Sequence, residues 1–388
     1  MRDFEGLIFP LQEYQRRLDE LRERMQERHF DVVIITEPEN IHYLTGYQTT
    51  GYSYFQAIIV PIDKEPFMVT RLLESSNVTA RTWVEIARPY EDTGDAIQKV
   101  LSALDEFDLT QNKNIGYEMN CYFFPRYQQE RFQASVLGGH LFDCSGIVEQ
   151  GRVIKSEFEL DIMRKAAIAT EAGMKAGIEC IKEGIFENDI AAEVHHAMYK
   201  AGGEYPAVAP YITSGPRTNI GHATWEGRKL QKDDCVFLEI GGCVKRYHTA
   251  MMRTIYLGKP SEIILEAEEV VLEAIDTALD FMREGVTVAE VDFHLRNILS
   301  KAQGQCITRT GYSIGLAFAP SWDEGQIISI KAGENDFLKE NMTFHIIPWL
   351  VGVDGDNVMA ISETVRVGKD KAESLFNFER KLFVKDVS

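Results

Sequence analysis

From Leu11 to Arg28, apolar residues recur at helical spacing with dense charge between them. A stripe of that period can bury one face and leave the other in water, which predicts a surface amphipathic helix. Three short apolar runs follow, each bounded by turn residues: Asp31–Thr36, Tyr54–Val60 and Pro66–Thr70. Runs of this length between turn signals predict strands. Strands alternating with helical stretches such as Asp95–Phe107 predict a small α/β domain that ends near Ile154. Ser156-Glu-Phe-Glu159 fits a capping box and predicts a helix running to about Glu183. The expected organisation is an N-terminal α/β domain over 1–154 and a second domain over 155–388.

The second part carries a weak internal repeat. Glu183-Gly184 through Gly203 matches Glu284-Gly285 through Gly304 at a constant offset, with Ile185/Val286, Ile190/Val291 and Val194/Leu295 aligned between the ends. Taken alone, two unrelated helices entered and left at glycines would look the same.

Composition narrows the class. With 45% hydrophobic and 26% charged residues, the 388-residue chain has ample material for globular cores. A net charge of −19 repels nucleic acid and anionic membrane surfaces, so neither is an expected partner. No apolar run approaches the ~20 residues needed to cross a bilayer. The start, Met1-Arg-Asp-Phe-Glu-Gly, has no signal-peptide pattern, and the expected location is the cytoplasm. Six dispersed cysteines without a Cys-x-x-Cys pair read as reduced thiols.

Two residues stand out chemically. Glu239 lies mid-strand in Val236-Phe-Leu-Glu-Ile-Gly, where a carboxylate is costly unless hydrogen-bonded or held for a purpose. The bland alternative is a solvent-facing residue on an edge strand. His222 lies in the turn-rich loop Ser214–Trp225. The pair His195-His196 is no metal site, because adjacent residues on a helix point in different directions.

The stretch Cys235–Thr254 resembles the strand pair that carries the first two metal ligands in the creatinase/aminopeptidase, or pita-bread, superfamily. Gly311-Tyr-Ser-Ile-Gly315, Met342–Pro348 and Ile361–Val365 resemble its remaining ligand segments. That resemblance implies helices outside and strands inside a duplicated half-domain, which accounts for the repeat. It also implies a catalytic domain opened by the helix at Lys155–Ala166, and a homodimer whose partner lends the Gly51–Gln56 stretch.

The five ligand positions fall on Glu239, Ala250, Tyr312, Ile347 and Ser362. One possible ligand in five does not hold a divalent cation, so the expected metal and cofactor content is none. A one-residue slip would bring in Glu363, but a slip also turns a strand side chain to the other face.

Asn40–Gly46, Tyr205–Pro210, Gly242–His248, Gly311–Leu316, Met342–Pro348 and Ile361–Arg366 resemble the metal-free ectoine hydrolases within this superfamily. The activity implied is hydrolysis of a non-peptide C–N bond in a small zwitterionic amidine, opening the ectoine ring. The alternatives are a creatinase-like amidinohydrolase, a metal-dependent Xaa-Pro aminopeptidase and a binding protein on a peptidase scaffold. In the implied site Glu239 and His222 are catalytic. His345, Arg253, Tyr247, Tyr312 and Glu363 are candidate polar contacts, and Trp225 and Trp322 candidate walls. Tyr54 occupies the place of a substrate-binding basic residue in creatinase.

Overall fold

The computed structural model describes residues 1–386, which divide into two compact units, Met1–Arg152 and the remainder from Val153. In the first, strands β1 (Val32–Ile35), β2 (Ala57–Pro61), β3 (Phe67–Val69), β4 (Ile86–Ala87), β5 (Asn114–Tyr117) and β6 (His140–Asp143) form one mixed sheet. Its spatial order is β4-β3-β2-β1-β5-β6, with β1 antiparallel to β2 and parallel to β5.

The predicted amphipathic helix spans Leu11–Glu27 and buries Tyr14, Leu18, Leu21 and Met25. A second helix, Ala96–Glu106, starts where the Asp95 carboxylate accepts the backbone N–H groups of Ile97 and Gln98, satisfying two otherwise orphaned donors. It covers a core of Val32, Ile34, Phe67, Ile115 and Phe124. Tyr54, expected within a strand, precedes β2 and is about half exposed.

In the second unit, Ser156 and Glu159 form the predicted capping box, and the helix they open runs over Glu157–Cys180. It stops three residues short of the expected Glu183. It packs on the helix Glu187–Lys200, and the helix Glu262–Phe281 packs on Val288–Leu299 in the same way. Each second helix follows a glycine in the left-handed region, Gly184 (φ 89°) or Gly285 (φ 87°), a conformation costly for other residues. The sequence repeat is thus one helix pair used twice.

Inside lie two main sheets. The strands β7 (Tyr211–Ser214), β8 (Cys235–Val244) and β9 (Tyr247–Leu257) are built with β17 (Phe383–Lys385) in the order β17-β9-β8-β7. The second sheet uses β10 (Gly311–Ser313), β11 (Ser329–Ile330), β12 (Thr343–Ile346), β15 (Glu363–Val367) and β16 (Ala372–Ser374), in the order β11-β10-β12-β15-β16. A small ribbon pairs β13 (Trp349–Val353) with β14 (Asn357–Ala360).

The long β8–β9 hairpin closes through Lys245 and Arg246, both at positive φ (47° and 66°), the two-residue geometry that matches strand twist. The buried Arg246 guanidinium donates to the carbonyls of Ala317 and Tyr205 and holds the turn there.

Candidate active site

Side chains alternate along β8 and β9, so residues two apart share a face. On one face Leu238, Ile240, Met251 and Ile255 are buried against the helices Glu157–Cys180 and Glu187–Lys200. The other face presents Glu239, Gly241, Ala250 and Met252, and Tyr211 of β7 stands directly opposite Glu239 in register. The bare Gly241 lets an indole lie on this face: a Cβ there would stand 2.7 Å from Cε3 of Trp322. Tyr211 meets Trp322 edge-on at 5.7 Å between ring centroids, and the His222 ring at 5.5 Å. His222 is exposed and in the left-handed region (φ 57°), following the 3-10 turn Gly215–Asn219.

A hydrogen-bonded chain leads from Trp322 into the second sheet. Trp322 Nε1–H donates to Tyr312 Oη at 3.0 Å. Tyr312 Oη lies 2.8 Å from His345 Nδ1, and His345 Nε2 lies 2.6 Å from Ser362 Oγ. Ser362 Oγ accepts the backbone N–H of Met252 at 2.6 Å. Register explains the chain: Tyr312 is the partner of His345 across β10–β12, and His345 of Thr364 across β12–β15. Ser362, two residues before Thr364, falls on the same face.

Burial sets the electrostatics. Glu239 is only 6% exposed, and no group among the described residues donates a hydrogen bond to its carboxylate. Desolvation pushes its pKa to about 8. The Tyr211 phenol is pushed up to about 12, first by burial and then by the charge of Glu239; burial and the same charge also push Tyr312 well up. Burial, followed by the charges of Arg309 and Arg253, pushes His345 down to about 3, so its imidazole is neutral. The Arg309 guanidinium lies 4.4 Å from the centre of the Tyr312 ring, held by Asp323 at 2.8 Å.

Strand parity corrects three expected contacts. Arg253 is opposite Leu238, on the helix-covered face, and donates to Glu363 Oε1 at 2.7 Å and to the carbonyls of Met252, Ser362 and Glu379. Glu363 is opposite Ile346, on the face away from His345, and accepts from Arg253 and Ser374. Tyr247 also points to the helix side and donates to Glu159 Oε1 at 2.8 Å. Arg253 pairs with Glu363 and Tyr247 with Glu159, and none of the three lines the face of Glu239.

Trp225 is placed differently as well, packing edge-on to His195 and against the helix-side core. Tyr54 belongs to the first unit, where the Arg71 guanidinium covers its ring at 3.9 Å. Tyr211 and Ser362 are the two residues of the cluster that sequence reasoning did not propose for it. In the sequence Ser362 is only a ligand position without a metal-binding side chain, and the cross-strand partner of Glu239 has no sequence signal.

The donor set does not fit a divalent cation. Ala250 and Ile347 offer no donor atom, the hydroxyls of Tyr312 and Ser362 are already engaged with His345, and Glu239 alone is a carboxylate. Among the described residues, no three His, Cys, Asp or Glu side chains converge as a metal site requires.

Comparison with known proteins places this site in context. Residues 161–369 match the model of metallopeptidase family M24, and residues 17–154 match the creatinase/prolidase N-terminal domain. An uncharacterized hydrolase/peptidase of Sinorhizobium fredii is 30% identical, with 98% of this chain and 99% of that protein covered. The ectoine hydrolase of Halomonas elongata is 28% identical, over 98% and 99%. The Xaa-Pro dipeptidase of Pyrococcus furiosus is also 28% identical, over 94% and 99%. The X-Pro aminopeptidase structure from Thermotoga maritima superimposes with a TM-score of 0.83 at 22% identity, covering 95% and 99% of the two chains, a likeness of fold.

Proposed function

From the premise that the chain belongs to metallopeptidase family M24, a family of hydrolases, we propose that it works without a metal. We further propose that it hydrolyses a non-peptide C–N bond in a small zwitterionic amidine, opening the ectoine ring to an N-acetylated diaminobutyrate. The observation that carries this reading is Glu239: a buried carboxyl with no donor among the described residues, where a metallopeptidase needs a ligand set that the described residues do not provide.

A carboxyl in that state awaits a cation. An amidinium arriving beside it supplies the missing counter-charge and favours loss of its proton. The aromatic surfaces of Tyr211 and Trp322 suit a flat cationic ring. Hydrolysis adds one water: an oxygen bonds to the amidine carbon, one ring C–N bond breaks, and the departing nitrogen takes a proton. Glu239 serves either as the attacking nucleophile or as the base that deprotonates the water. His222, across the Tyr211 ring, relays the proton. In this reading the protein is a cytoplasmic homodimer.

The test is incubation with ectoine, 5-hydroxyectoine, creatine and an Xaa-Pro dipeptide, with products detected by mass. Ring-opened ectoine, formed equally well after chelation, is the expected result. Dipeptide cleavage that requires added metal overturns the reading and favours the peptidase activity of the similarly close archaeal relative.

A further inference from the structure

The proton positions along the Trp322–Tyr312–His345–Ser362 chain follow from counting donors and acceptors. Ser362 is fully buried, and its Oγ already accepts the Met252 N–H. Among the described residues its hydroxyl proton has one acceptor within reach, His345 Nε2 at 2.6 Å. A neutral imidazole carries a single N–H. With Nε2 accepting, that proton sits on Nδ1 and is donated to Tyr312 Oη at 2.8 Å.

Tyr312 Oη then accepts from both Trp322 Nε1–H and His345 Nδ1–H, so its own proton can be given to neither. The phenol belongs to the same cluster as Glu239, whose charge acts on it, and the Arg309 guanidinium against its ring strengthens the O–H as a donor.

We propose that His345 and Ser362 are positioning residues that fix one imidazole tautomer and thereby make Tyr312 a dedicated hydrogen-bond donor to an acceptor atom of the substrate beside Glu239. The inference rests on reading this face as the active site. The hydroxyl takes over, as an oriented dipole, the polarising role that a cation would fill. Two donors converging on the phenol oxygen favour charge building on it as it donates, so the bond tightens when the substrate acceptor becomes negative.

Neutron diffraction from deuterium-exchanged crystals of the intact protein reads these protons without any variant. The expected map shows deuterium on His345 Nδ1, on Ser362 Oγ directed at Nε2, and on Tyr312 Oη directed away from His345. Deuterium on Nε2, or a Tyr312 hydroxyl directed at Nδ1, overturns the proposal.

Kinetics with ectoine provide the second arm. Ser362→Ala removes the donor that fixes the tautomer, and should lower kcat about tenfold or more while KM changes by less than about threefold. Ser362→Thr keeps the hydroxyl and should recover much of the rate. Native kcat in Ser362→Ala overturns the proposal. If ectoine is not turned over at all, the substrate reading fails, and the neutron map still decides the tautomer.

Discussion

Tyr211 and Glu239 are direct partners across the β7–β8 ladder. Directly opposed residues project from the same face of a sheet, so the phenol ring flanks a carboxyl that receives no hydrogen bond from the described residues. Burial raises the cost of charge on the carboxyl, and burial together with the Glu239 charge raises it on the phenol. A cationic ligand beside the carboxyl offsets that cost.

Glu239→Gln removes both the nucleophile and the anion while keeping shape. Turnover of ectoine should fall at least ~100-fold, the scale of a lost acid–base or nucleophilic group. His222→Ala should be comparably damaging, and the double variant hardly worse than either alone if the two act as a unit. Steady-state rates settle this; retention of more than about a tenth of the native rate in Glu239→Gln would move the catalytic role elsewhere.

The raised pKa of Glu239 also predicts how stability depends on pH. An unfolded glutamate titrates near ~4.3, whereas in the folded protein Glu239 titrates at about 8. Between those values the native state binds more protons than the unfolded chain, so this residue makes stability fall as pH rises through the window and level off above it. The total is on the order of a few kcal/mol. Glu239→Gln should flatten this slope and melt higher than the native protein near pH 9. Melting curves of the two proteins that run parallel from pH 5 to 9 would contradict it.

Binding a cationic amidine near neutral pH should release protons, because the ligand's charge shifts Glu239 toward its ionised form. Calorimetric titration of the slow Glu239-intact variant His222→Ala, in buffers of different ionisation enthalpy, reads that release. A binding enthalpy independent of buffer would rule out this coupling.

Arg253 and Glu363 should behave as structure and not as catalyst. Both are almost fully buried and paired at 2.7 Å. Glu363→Gln leaves the guanidinium without its counter-charge, and breaking such a pair costs about 3–5 kcal/mol. The folded fraction should still turn over within about threefold of the native rate. A stable variant with abolished turnover would return Glu363 to the site.

Gly241→Ala should act through Trp322. The added methyl falls 2.7 Å from the indole, so the ring must shift, and overpacking of this kind costs about 1–3 kcal/mol. The displaced Trp322 loses its bond to Tyr312, so altered tryptophan emission should accompany a drop in turnover. Native fluorescence and native rate together would show that the indole does not depend on this glycine.

The elements were largely legible in local patterns. The period of Leu11–Glu27, the Ser156/Glu159 capping box and the alternating β8–β9 pair are written in neighbouring residues, because helix and strand periods act over a few positions. The missing metal ligands were legible for a similar reason, since a side chain without a donor atom has none in any fold.

Which polar groups share a face was only partly legible. Counting along β9 already puts Arg253, three residues from Ala250, on the opposite side, and a slip to Glu363 carries the same parity penalty. The pairing of Tyr211 with Glu239, the seat of Trp322 on Gly241 and the link from His345 to Ser362 were decided by the tertiary structure. Each joins residues 17 to 81 positions apart along the chain. Such contacts depend on strand register and on how two sheets meet, and neither is encoded in the spacing of any single segment.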